Sequence, residues 1–146
     1  RRHALIWSVM GLSTQFYHQS EQAWDRAGFQ SVDDFMKNFW EDWFLPMDPN
    51  NLLTMATKWQ YGDVSRNTDG DLEAALGRVN AKVYVMPFEE DMFFPVSDCE
   101  YEEAMIPDSE LRPIPSLWGH FTMFGVFDED LKAIDEHIGE LLNESV

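Results

Sequence analysis

Only two stretches of the 146-residue chain have the composition of a buried strand, and this limits the fold more than any other feature of the sequence. One is Ala81-Lys82-Val83-Tyr84-Val85-Met86, and the other runs from about Leu111 to Ile114. An acidic loop and a helix expected around Ser97 to Met105 lie between them. A long amphipathic helix is expected from about Asp128, with Leu131, Ile134, Ile138 and Leu141 on one face that should lie against a sheet. Such alternation is α/β. Two strands with their helices do not make an independent sheet, because the inner edge would expose unpaired backbone and a large apolar face. Another part of the same polypeptide, or another chain, is expected to cover that edge. The start at Arg1-Arg2-His3, without an initiator methionine, points the same way, to a piece of a longer protein.

The first half reads differently. From Ala4 to about Trp59 there is no convincing period-2 strand, while bulky apolar residues recur at three- and four-residue intervals in Phe35, Phe39, Trp43 and in Leu52, Met55, Ala56, Trp59. This predicts helices. Ser31 followed by Asp34 resembles an N-cap with an acidic first turn, and Pro46 with Pro49 should break the chain before a new helix near Asn50 or Asn51. Trp7, Trp24, Trp40, Trp43 and Trp59 serve either to pack helix on helix or to wall a substrate pocket. Asn67-Thr68-Asp69-Gly70-Asp71 reads as a turn before a short helix, Leu72 to Leu76, since the ligand series of a calcium loop is not in place.

Composition removes several function classes. With 45% hydrophobic and 14% aromatic residues the chain can bury a core, so general disorder is excluded. A formal net charge of −17, with the ten Lys and Arg residues scattered, disfavours nucleic acid as a partner. No apolar run approaches a membrane span and no signal-peptide pattern opens the chain, so no membrane partner is expected. A single cysteine, Cys99, builds no disulfide framework, and a soluble, cytoplasmic protein is the expectation.

Three motifs then fall in order. Val83-Tyr84-Val85-Met86-Pro87-Phe88-Glu89-Glu90-Asp91-Met92-Phe93-Phe94-Pro95 resembles the penultimate strand and acid loop of α/β-hydrolases, and its Asp-x-x-Phe-Pro ending looks like that of homoserine O-acetyltransferases. Pro115-Ser116-Leu117-Trp118-Gly119-His120-Phe121 is similar to the loop after the last strand, where a Gly-His pair presents the catalytic base. Upstream, Phe44-Leu45-Pro46-Met47-Asp48-Pro49-Asn50-Asn51-Leu52-Leu53 and Trp59-Gln60-Tyr61-Gly62-Asp63 resemble the segment that leaves a helical lid and re-enters the hydrolase core. The resemblance covers roughly residues 30 to 145. It implies the C-terminal portion of an α/β-hydrolase fold, with residues 1–62 as helical lid and 63–146 as the last two strands of the core with their helices.

The implied chemistry is acyl transfer or ester hydrolysis through a Ser/Cys-His-Asp triad, with His120 as base and Asp91 as the acid that orients it. No Gly-x-Ser-x-Gly elbow occurs, and Gly11-Leu12-Ser13-Thr14-Gln15 lacks the second glycine. The nucleophile and oxyanion hole are therefore expected from a missing N-terminal half, and this chain alone should be inactive. The resemblance implies a small-molecule ester or acyl donor as substrate, no bound cofactor, acyl-coenzyme A as a candidate co-substrate, and a homodimer through the lid as a candidate assembly. Where that family carries an acidic residue after the histidine, this chain has Phe121, which suits a less polar acceptor or water. A second function, from a different class, is a non-catalytic acidic helical module that binds a partner through its aromatic surface. The distance between Asp91 and His120 separates the two.

Other polar residues carry less. Glu89 and Glu90 read as solvated, and His3, His18 and His137 as surface or packing residues. No zinc pattern includes them or Cys99, whose acidic neighbours Asp98 and Glu100 should raise its thiol pKa.

Overall fold

A computed structural model of the chain describes residues 1–18 and 23–144; residues 19–22, 145 and 146 lie outside the description. Helices α1 (Arg2–Met10) and α2 (Thr14–His18) come first. Helix α3 (Val32–Phe35) starts at Ser31, whose hydroxyl accepts the Asp34 N–H, and runs through a π-helical stretch, Met36–Glu41, into α4 (Asp42–Phe44). Helix α5 (Pro49–Tyr61) begins a residue or two before the predicted start. Asp48 caps it by accepting the Asn50 N–H, and Pro49 in the first turn has no N–H to leave unpaired.

A 3-10 turn, Val64–Thr68, follows, with Asp69 in the left-handed region at φ 55°. Asp71 then caps α6 (Leu72–Leu76) through the Ala74 N–H, as the turn reading predicts. Strand β1 (Val83–Val85), helix α7 (Val96–Glu103) and strand β2 (Ser109–Leu111) form the α/β part, and α8 (Asp128–Asn143) closes the chain. The strands are parallel, with Val83 opposite Ser109, Tyr84 opposite Glu110 and Val85 opposite Leu111.

The second strand sits earlier than the predicted Leu111 to Ile114. Pro87 has no N–H to give the Arg112 carbonyl, so the regular ladder is interrupted after Leu111, although the Arg112 N–H still reaches the Val85 carbonyl, and pairing resumes as an isolated bridge between Phe88 and Ile114.

The core is aromatic. Phe16, Phe35, Trp40, Trp118, Phe121 and Phe127 belong to one buried cluster, so the loop from Leu117 to Phe121 is packed into side chains of the helical half. The predicted apolar face of α8 is only partly covered: Leu131 stays 42% exposed and Ile138 40%. A sheet of two strands is too narrow to cover a sixteen-residue helix. Polar bonds hold its far end instead, with the Tyr84 hydroxyl on Glu144 and the Arg112 guanidinium on Glu140. Among the described residues, no helix is long and apolar enough to cross a membrane.

Candidate active site

Both loops that matter leave the same edge of the sheet. β1 ends at Val85, and the chain crosses the Phe88–Ile114 bridge before turning at Asp91; β2 leads to the same bridge, and then to His120. Because the strands are adjacent and parallel, the two loops are neighbours by construction.

The Asp91 loop folds on its own carboxyl. Its Oδ1 accepts the N–H groups of Phe93 at 2.7 Å and Phe94 at 3.2 Å, a turn that aspartate makes readily. This leaves Oδ2 to face His120, whose Nδ1 lies 3.0 Å away. The Asp91 carboxyl is almost wholly buried. Burial pushes its pKa up, but the His120 hydrogen bond and the two backbone N–H groups outweigh that and hold it below the ordinary aspartate value. An ionised Asp91 only accepts, so Nδ1 carries the proton and Nε2 is the nitrogen available to take another.

His120 is placed by its neighbours. Gly119 has φ +47°, and a Cβ there would stand 2.7 Å from the Glu90 carbonyl oxygen, so the His120 loop approaches the Asp91 loop as closely as only glycine allows. The imidazole is ringed by Phe93 at 4.8 Å, Phe94 at 5.6 Å and Trp7 at 5.8 Å between centroids. Trp59 packs on both phenylalanines from the helical half. Among these tryptophans Trp40 is fully buried core, whereas Trp7 and Trp59 lie against the aromatic neighbours of the imidazole.

Ser116 begins the loop that carries His120. Its hydroxyl accepts the Trp118 N–H at 3.2 Å and donates to Asp130 Oδ2 at 2.8 Å, and Asp130 is only 3% exposed. Nothing in the sequence pairs these two residues, fourteen positions apart and in different elements. Sequence reasoning also misses the bonds of two other histidines. His3 Nε2 accepts the Trp7 indole N–H at 2.9 Å, and His137 Nδ1 lies 3.2 Å from the Arg112 guanidinium.

Two open cavities flank the acid loop. One of about 220 Å³ is lined by Met86, Phe88, Asp91, Phe94, Cys99 and Met123. The other, of about 340 Å³, is lined in part by Glu89, Glu90, Ser116 and Asp130. Burial and the nearby carboxylates of Glu102, Asp91 and Asp98 push the Cys99 thiol up, which makes it a poor nucleophile. Among the described residues no group of His, Cys, Asp and Glu is arranged to hold a metal ion.

The fold of the chain recurs in known proteins. No family model matches the chain. It is 51% identical over 142 residues to an ethyl acetate hydrolase of Pseudomonas veronii, and 51% identical over 141 residues to a probable esterase of Corynebacterium glutamicum. Each alignment covers 97% of this chain and 40% of the relative, so the chain spans about two-fifths of the length of the curated relatives it matches. Among solved structures, it superposes on the acetyl esterase MekB with a TM-score of 0.92 at 50% identity, over 98% of this chain and 41% of that one. An acetylester hydrolase from Corynebacterium glutamicum gives 0.94 at 50% identity, over 98% and 40%. The chain therefore has the α/β fold of a portion of these esterases.

Proposed function

We propose that this chain is the C-terminal portion of an α/β-hydrolase that cleaves small carboxylic esters, and that it supplies the acid, Asp91, and the base, His120, of the catalytic triad. The observation that carries this reading is the 3.0 Å contact between His120 Nδ1 and a buried, ionised Asp91 carboxyl. Acid before base along the chain is also the order of that fold. The contact weighs for catalysis and against a purely adhesive acidic module.

In the reaction, His120 Nε2 takes the proton of a serine or cysteine that attacks the ester carbonyl carbon. The tetrahedral intermediate collapses, the C–O bond to the alcohol breaks, and the imidazolium returns its proton to the departing alkoxide. Water then repeats the sequence on the acyl-enzyme and releases the acid. Asp91 stays ionised throughout and stabilises the imidazolium. The nucleophile and the oxyanion donors belong to sequence beyond these 146 residues, as does the rest of the sheet.

Hydrolysis is favoured over transfer to homoserine on two grounds. The relatives named above are ester hydrolases, and the position after the base is Phe121, a buried aromatic unable to hold a substrate amine. The aromatic surround of the imidazole suits small apolar alcohols, and the acidic excess does not favour the phosphates of acyl-coenzyme A.

The test is hydrolysis of ethyl acetate by the full-length protein that contains this chain. His120→Ala and Asp91→Asn should each lower kcat by about 10³–10⁴-fold, while His137→Ala leaves it unchanged. Equal turnover by wild type and His120→Ala would sink the assignment.

A further inference from the structure

Asp130 is a buried carboxyl that the proposed mechanism leaves unused. It lies in the first turn of α8, where an aspartate ordinarily serves its own helix by capping or by facing the helix dipole. Here the α8 N-terminus has no side-chain cap, and the Asp130 carboxylate turns instead to Ser116 Oγ, in the loop before the base. Burial and the neighbouring Glu129 raise its pKa, against the hydrogen bond from Ser116 and the charge of Arg26. Keeping such a group at 3% exposure costs stability, so it is a candidate for a role other than stabilisation.

The bonds lead toward the imidazole. Ser116 Oγ donates to Asp130, which fixes its lone pairs to receive the Trp118 N–H. The Trp118 carbonyl in turn accepts the Phe121 N–H at 2.9 Å and so closes the turn that carries His120. The Trp118 indole is fully buried against Phe16 and Phe127, and the residue before Asp130's helix, Phe127, belongs to the same cluster. The far side of the turn is set by the tight Gly119–Glu90 approach. His120 is thus clamped between the acid loop on one side and α8 on the other.

We propose that Ser116 and Asp130 are positioning residues for His120, a second carboxylate–hydroxyl link that holds the base loop in register with the Asp91 loop. The proposal rests on the triad reading above. Without this link the turn keeps its fold, but the imidazole spends less time aligned with Asp91 and the nucleophile. The loss therefore falls on kcat and not on substrate binding.

The experiment uses the full-length enzyme and a short acetate ester, with kcat, KM and thermal midpoint measured for Ser116→Ala, Asp130→Ala, Asp130→Asn and His120→Ala. Asp130→Asn keeps an oxygen that accepts the Ser116 hydroxyl. Ser116→Ala and Asp130→Ala are expected to lower kcat by about 10–100-fold with KM held within about two-fold, and Asp130→Asn to restore kcat to within about three-fold of wild type. Should Asp130→Ala fail to fold, Ser116→Ala, which removes a single oxygen, decides alone. An unchanged kcat in Ser116→Ala, a loss spread equally over kcat and KM, or no rescue by Asp130→Asn would overturn the proposal. Activity surviving in His120→Ala would instead overturn the triad reading beneath it.

Discussion

At the scale of single residues, the site depends on one glycine and two carboxyls held in opposite ways. Gly119→Ala forces a Cβ against the Glu90 carbonyl at positive φ, and should cost about 1–3 kcal/mol of stability while separating the acid and base loops. Denaturant midpoints and kcat on one preparation would show both losses together; a variant with wild-type values for both would contradict the close approach. The carboxyls predict opposite pH behaviour. Asp91, with its pKa lowered in the fold, adds stability above the usual aspartate value, and that contribution disappears as pH falls through and below about 4. Asp130, with its pKa raised, carries a penalty absent at low pH that appears as pH rises through about 4 toward its folded value. The stability gained between pH 3 and pH 7 should therefore shrink in Asp91→Asn and grow in Asp130→Asn, measured by denaturant unfolding at the two values.

At the scale of elements, α1 is docked through its end. A Cβ on Gly11 would meet the Phe121 ring at 2.7 Å and the Trp40 ring at 2.9 Å, so Gly11→Ala should destabilise by about 1–3 kcal/mol through overpacking, as read from the unfolding midpoint. The elements also show how much could be read in advance. Caps were legible because they are local: Ser31 before Asp34, and the prolines before Asn50, mark the starts of α3 and α5 to within a residue or two. The β1 segment, the acid loop and the Gly-His loop were legible from residue type and order, and Asp91 and His120 lie together as that order implies. The position of β2 was not, because hydrophobicity marks Leu111 to Ile114 while the paired strand begins at the polar Ser109 and its regular ladder is interrupted opposite Pro87 on the other strand. Equally hidden were Ser116 with Asp130 and His3 with Trp7. The first joins a loop to a helix that periodicity treats as independent, and the second rests on a helical i,i+4 spacing that carries no motif of its own.

At the scale of the whole molecule, exposed apolar surface and negative charge coexist. Leu5, Ile6 and Val9 on α1 and Leu53, Met55 and Trp59 on α5 all stand more than half exposed, and among the described residues each strand pairs on one side only. On the proposed function, the 146-residue chain prepared alone should bind a hydrophobic dye strongly and show no esterase turnover, whereas a full-length protein containing it should bind little dye and hydrolyse ethyl acetate. Turnover by the isolated chain would mean that it holds its own nucleophile. The net charge of −17 opposes compaction, so salt in the range of 0.1–0.5 M should raise the chain's unfolding temperature by screening.

The parallel pairing of β1 with β2 has a consequence for descent. Asp91 and His120, the proposed acid and base, lie in one uninterrupted strand–helix–strand run, residues 83–124, and their spacing is fixed by the register of two adjacent strands. A crossover between related genes anywhere upstream of that run would exchange the helical surround while passing on the Asp91–His120 pair intact. New substrate preferences could then be sampled by recombination without the proton-handling half ever being rebuilt.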